Sequence, residues 1–130
     1  MARILVIDDS EIMRRMLIRW LVKEGYEVFE AADGKEGLEL CKSVHPHVII
    51  TDIFMPGCDG LEVLLKALTN DCSMGIIVMS GGGILVEGDK FLEYAIGLGA
   101  DYAFAKPLQR GDLLQAITKI MEKPETGQNS

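Results

Sequence analysis

A chain of 130 residues with no internal linker reads as one domain, long enough to bury a continuous core without disulfides or a structural metal. Its 48% apolar and 25% charged residues are ordinary globular values, which excludes disorder except in the C-terminal tail, residues 124–130. With 13 Lys plus Arg against 20 Asp plus Glu, the net charge is −7 and no basic run offsets it, so direct nucleic-acid binding is excluded.

Cys41, Cys58 and Cys72 match neither a disulfide framework nor a zinc site, and read as small hydrophobes in a reducing cytosol. No stretch approaches a membrane span, and the apolar run from Ile4 stops at Asp8, too short for a secretory signal. A cytoplasmic protein without membrane insertion is expected.

In chain order, Ile4-Leu5-Val6-Ile7 is a short, wholly apolar run ended by acids, the pattern of a strand buried on both faces. Asp9 or Ser10 can cap the helix that follows. There Ile12, Met13, Met16, Leu17, Trp20 and Leu21 recur at helical spacing until Gly25. Tyr26–Ala31 reads as a second strand, and Asp33-Gly34 opens a helix to about Ser43. Val48–Thr51 is the third strand, ended by Asp52. A turn-rich loop, Met55–Gly60, leads to a helix carrying Leu61, Val63, Leu64, Leu65 and Leu68.

Ile76–Met79 is the fourth strand and ends at Ser80. Gly81-Gly82-Gly83 precedes a helix near Asp89–Leu98, and Tyr102–Ala105 is the fifth strand. Leu113, Leu114, Ile117, Ile120 and Met121 stripe the final helix. Five strands alternating with five helices imply an α/β, doubly wound parallel sheet, with the functional crevice outside the carboxyl ends of the strands. The polar residues gather there: Asp8-Asp9, Asp52, Ser80 and Lys106 each follow or end a strand.

Carboxylates crowded at one sheet edge raise one another's pKa unless a cation joins them. Few acids and oxygen-only ligands suit Mg²⁺. Lys106 adds a point charge and Ser80 a hydroxyl donor, which together make a place for a phosphoryl group. Asp52, nearest the sheet centre, is the candidate nucleophile, because carboxylates form acyl phosphates.

These residues resemble the receiver domains of two-component response regulators. The match lies in Asp8-Asp9-Ser10, Asp52-Ile53-Phe54-Met55-Pro56 with Asp59-Gly60, Ser80, and Gly99-Ala100-Asp101 leading to Lys106-Pro107, over about Arg3 to Met121. The resemblance implies a flavodoxin-like sheet of order 2-1-3-4-5 within residues 1–123, and phosphorylation on Asp52. It implies Mg²⁺ ligation by Asp9, Asp52 and the Phe54 backbone carbonyl, with Asp8 acting through water. Ser80 and Lys106 would contact the phosphoryl oxygens, and Lys106-Pro107 would be cis. The implied donor is a phosphohistidine on a histidine kinase or phosphotransfer protein. The implied output, with no second domain attached, is a protein partner docking on helix four, strand five and helix five, about Asp89 to Met121.

The chain also departs from that pattern. The aromatic residue usual three positions before the lysine is Ala103, and Tyr102 and Phe104 should face the other side of the sheet. Backbone movement of residues 81–87 would then carry the signal. Phe54 either shields the acyl phosphate from water or points away over the loop. His45 and His47, without a third ligand, read as an exposed connection, and Asp59 as a turn residue.

Other readings differ in chemistry. An aspartyl-phosphate phosphohydrolase needs a second acid two residues after its nucleophile, where Phe54 stands. A flavodoxin-like cofactor binder needs a phosphate loop where Asp8-Asp9 lies. A receiver-like module that acts without phosphorylation keeps the fold alone.

Overall fold

The computed structural model describes residues 2–52, 74–80, 93, 95–97 and 99–122. Its first strand, β1 (Arg3–Ile7), has its last four residues fully buried, as a strand covered on both faces must. Ser10 caps α1 (Glu11–Lys23) by accepting from the Met13 amide, and Asp33 caps α2 (Gly34–Val44) by accepting from the Glu36 amide. Each oxygen satisfies an amide that a first helical turn leaves without a partner. Gly25 follows α1 with φ 94°, a conformation that costs little only without a Cβ.

The remaining strands are β2 (Glu27–Ala31), β3 (Val48–Asp52), β4 (Gly75–Ser80) and β5 (Tyr102–Ala105). All pairings are parallel, in the order β2-β1-β3-β4-β5 expected from the sequence. The chain leaves β1 to one side for β2 and returns to the other for β3, which puts the switch point between β1 and β3. Another helix, α3 (Arg110–Glu122), follows β5. The helix expected near Asp89–Leu98 is helical at the positions described, Glu93 and Ala95–Gly97. The one expected from Leu61 lies outside the described residues.

Strand alternation divides the core in two. Leu5, Ile7, Ile49, Ile76 and Val78 pack with Ala31 and Ala95, against Leu38 and Cys41 of α2. Ile4, Val6, Val48, Ile50, Ile77 and Met79 pack with Leu17 and Leu21 of α1 and Leu113, Ala116 and Ile117 of α3. Ile12 and Met121, counted in the apolar stripes from their spacing, are exposed instead. Met13 and Ile120, one residue away in the same turns, pack against the core, so Ile12 and Met121 fall on the flanks of the stripes rather than beyond their ends.

Cys41 behaves as the small hydrophobe expected, because burial pushes its thiol up to about 11 and keeps it protonated at neutral pH. In the histidine connection His45 is exposed as expected, while His47 is half-buried. The Arg3 guanidinium donates to the Val44 and His45 carbonyls, and the Arg3 amide donates to His47 Nδ1 at 3.0 Å. These bonds make residues 45–47 a joint between α2 and β3 at the end of the sheet away from the acids.

Gly37 of α2 lies so close to β1 that an added Cβ would meet Ile7 Cγ1 at 2.9 Å, and Ile7 is fully buried. Alanine should gain about 1 kcal/mol in helix propensity. The overpacked contact should outweigh it at about 1–3 kcal/mol. Urea unfolding of Gly37→Ala is therefore expected to show a net loss, partly restored by Ile7→Val. A stabilised Gly37→Ala would show that the two elements separate freely.

Candidate functional site

The strand period that sorts the core also aims the polar ends. Ile4 and Val6 of β1 lead in steps of two to Asp8; Val48 and Ile50 of β3 lead to Asp52; Tyr102 and Phe104 of β5 lead to Lys106. All three continue the face that carries α1 and α3, at the carboxyl rim where their strands stop. The register aligns Ile7 with Thr51, Asp52 with Met79 and Ser80 with Ala105, so the ends of β1, β3, β4 and β5 share one rim.

Asp8 is wholly buried and Asp52 nearly so, while Asp9 is exposed. One carboxylate oxygen from each of the three lies within 4.8 Å of the others. The Lys106 ammonium donates to Asp8 Oδ2 at 2.9 Å and to Asp52 Oδ2 at 2.8 Å. Asp8 Oδ1 accepts from the Ser10 amide at 2.9 Å, so both its oxygens are engaged. Burial alone would lower the Lys106 pKa, but its hydrogen bonds to Asp52 and Asp8 and their charges outweigh it and hold the pKa above its ordinary value. A raised lysine pKa contributes stability that is fully present through the neutral range. That contribution is lost only as pH climbs through the raised value.

Three carboxylates and one ammonium leave a formal charge of −2 at the rim. All three donors are hard oxygens and two are withheld from water, which fits a divalent cation such as Mg²⁺ better than a metal that prefers nitrogen or sulfur. Asp8, Asp9 and Asp52 would hold it, directly or with water between.

The structure thus brings together Asp8, Asp9, Asp52 and Lys106 as expected, and the Lys106-Pro107 peptide is cis. The backbone of Ser80 ends β4 at the same rim. Phe54, Asp59 and residues 81–87 lie outside the described residues. Ala103 packs into the core on the α2 side of the sheet, while Tyr102 and Phe104 pack on the opposite side. Their rings stack with centroids 6.3 Å apart and line a groove of about 210 Å³ with Asp112, Gln115 and Lys119 of α3.

Sequence reasoning passed over Arg14, whose guanidinium donates to the Asp8 carbonyl at 2.7 Å. An arginine on the polar flank of an amphipathic helix carries no mark that separates it from a solvated charge.

The family model described as "Response regulator receiver domain" matches residues 4–118. The chain is 31% identical over 119 residues to sporulation initiation phosphotransferase F of Bacillus subtilis, spanning 92% of this chain and 93% of that protein. It is 34% identical over 122 residues to chemotaxis protein CheY of Thermotoga maritima, spanning 91% and 96%. A response regulator receiver domain protein from Clostridium thermocellum superposes with a TM-score of 0.85 at 29% identity, over 93% of this chain and 94% of that one.

Replacing Asp9 by Asn removes one of three like charges but also a negative charge next to the start of α1. The two effects oppose each other, so stability in EDTA is expected to hold or rise. Mg²⁺ at about a hundred times its Kd should stabilise the wild type by about 2.7 kcal/mol. Urea unfolding of Asp9→Asn at the same Mg²⁺ concentration should show a smaller gain. An undiminished gain would remove Asp9 from the ligand set.

Proposed function

Because the chain belongs to the response regulator receiver domain family, we propose that it is a phosphorylation switch whose acceptor is Asp52. Receiver domains are signalling modules that bind Mg²⁺ at an acidic aspartate cluster. They interact with histidine kinases or phosphotransfer proteins and with downstream effectors. The observation that carries the reading here is one ammonium shared by two buried carboxylates at the ends of different strands, with a third carboxylate within 4.8 Å.

In this reading an Asp52 oxygen forms a bond to phosphorus as the phosphorus–nitrogen bond of a donor phosphohistidine breaks. The imidazole leaves. Asp9, Asp52 and the Phe54 carbonyl would hold Mg²⁺, with Asp8 supporting it through water, and the bound ion would offset the negative charge of the incoming group. Lys106 already donates to Asp52 and transfers a hydrogen bond to a phosphoryl oxygen, so a charge is stabilised without large reorganisation. The Ser80 hydroxyl supplies a further donor. The chain catalyses only its own phosphorylation and dephosphorylation.

The receiver unit occupies residues 1–123 and the tail 124–130. Output passes by protein contact, either to an effector or onward in a phosphorelay. The proposed effector face is the one built on β5 and α3 with the helix before them, where Tyr102 and Phe104 form the groove. No helix among the described residues is long and apolar enough to cross a membrane. A cytoplasmic site of action goes with a phosphohistidine donor.

Phosphoramidate with Mg²⁺, followed by intact mass, is expected to add a single phosphoryl group to the wild type and none to Asp52→Ala. Adduct that persists in Asp52→Ala would move the acceptor elsewhere. A wild type that stays unmodified would overturn the switch.

A further inference from the structure

We propose that Arg14 is a positioning residue for the acidic rim: it clamps the Asp8 carbonyl to β2 and so fixes the turn that presents Asp8 and Asp9 to the cation. The proposal rests on the magnesium-dependent reading above.

The ladder between β1 and β2 ends with the Asp8 amide donating to the Ala31 carbonyl at 3.2 Å. Past that point β2 turns away, because the Ala32 amide is taken by Glu36 Oε1 at 3.0 Å and Asp33 caps α2. The carbonyl of a wholly buried Asp8 therefore needs a donor from outside the ladder. Arg14 supplies it at 2.7 Å, while its Nε donates to Glu30 Oε1 of β2 at 2.9 Å. The Arg14 side chain is only 15% exposed.

A planar guanidinium with donors on two sides can hold both oxygens at once, which a lysine point charge does less well. The clamp also closes on itself. The Arg14 amide donates to the Ser10 carbonyl at 3.0 Å, and the Ser10 amide donates to Asp8 Oδ1 at 2.9 Å. Ser10 Oγ caps the amide of Met13. Backbone and side chain of Asp8 are thus both tied to the first turn of α1, and Asp9 is the residue between the two anchored positions. An exposed carboxylate on a loose turn would lose conformational freedom on meeting a cation; here much of that ordering precedes binding.

The sign of the effect separates a clamp from a mere nearby charge. Removing a positive charge close to three carboxylates should tighten Mg²⁺ binding through the field alone. Losing the clamp should weaken it.

The test titrates Mg²⁺ into wild type, Arg14→Met and Arg14→Lys, followed by the amide resonances of residues 8, 9 and 52. Amide exchange at Asp9 and Ser10 is measured in EDTA alongside. Arg14→Met is expected to raise the Mg²⁺ Kd about tenfold. Arg14→Lys should shift it the same way by less, and exchange at Asp9 and Ser10 should quicken in both without metal. A Kd in Arg14→Met equal to or tighter than wild type overturns the proposal. So does full recovery of the wild-type Kd in Arg14→Lys, which would show that one ammonium donor suffices and that no two-sided guanidinium clamp is needed. Should Arg14→Met fail to fold, Arg14→Lys carries the same comparison. A wild type that binds no Mg²⁺ overturns the functional reading and this proposal together. A wild type that binds, with variants that match it, overturns this proposal alone.

Discussion

Lys106 holds two buried carboxylates that would otherwise repel each other, and the rest of the rim is arranged around that bond pair. Its ammonium reaches Asp8 at the end of β1 and Asp52 at the end of β3 from a position just after β5. Three strands that are distant in sequence are thereby tied at one edge. Breaking one partner from such an arrangement leaves an uncompensated buried charge, which is far more costly than losing an exposed ion pair. The bond pair is nonetheless incomplete as electrostatics, since three acids face one ammonium. That residual negative charge makes the rim receptive to a divalent cation.

Placement of these groups follows from the parallel sheet. Because β1 and β3 are neighbours and the chain departs from them in opposite directions, the two acids flank a crevice instead of a loop crossing. The core on both faces keeps the strands from slipping, and a one-residue slip would turn Asp52 toward the α2 side and Ile50 with it. Packing of Gly37 against Ile7 and of Leu17 and Leu21 on the other face therefore acts on the site as well as on stability. The turn between β1 and α1 belongs to the same system, since Ser10 and Arg14 bind both the side chain and the carbonyl of Asp8.

The strand that leads to Lys106, β5, carries a small residue at Ala103. Ala103 lies in the core cluster on the α2 side, so no ring there can change position with the state of the rim. The aromatic surface of β5 sits one residue away on either side, on the opposite face, stacked beside α3. A groove built on those rings begins two residues before Lys106, and through strand alternation it shares the face toward which Asp8 and Asp52 continue.

Much of this was readable without coordinates. Apolar runs such as Ile4–Ile7 and Val48–Ile50 announced buried parallel strands, and acids at their ends announced the rim, because burial and strand period are local properties of composition and spacing. The opposite facing of Ala103 and Tyr102 followed from the same period. Ile12 and Met121 misled for the converse reason: their neighbours Met13 and Ile120 pack on the core, and spacing does not report how wide a stripe the sheet covers. His47 and Arg14 were likewise beyond reach. Their partners, the Arg3 amide in one case and the Asp8 carbonyl and Glu30 in the other, are backbone or side-chain atoms brought near only by folding. The sequence by itself determined the strands, their facing and the acids at their ends. Only the tertiary structure decided which oxygens Lys106 bridges and what holds the Asp8 turn, because hydrogen bonds between distant segments depend on ångström-scale approach and leave no periodic trace in the chain.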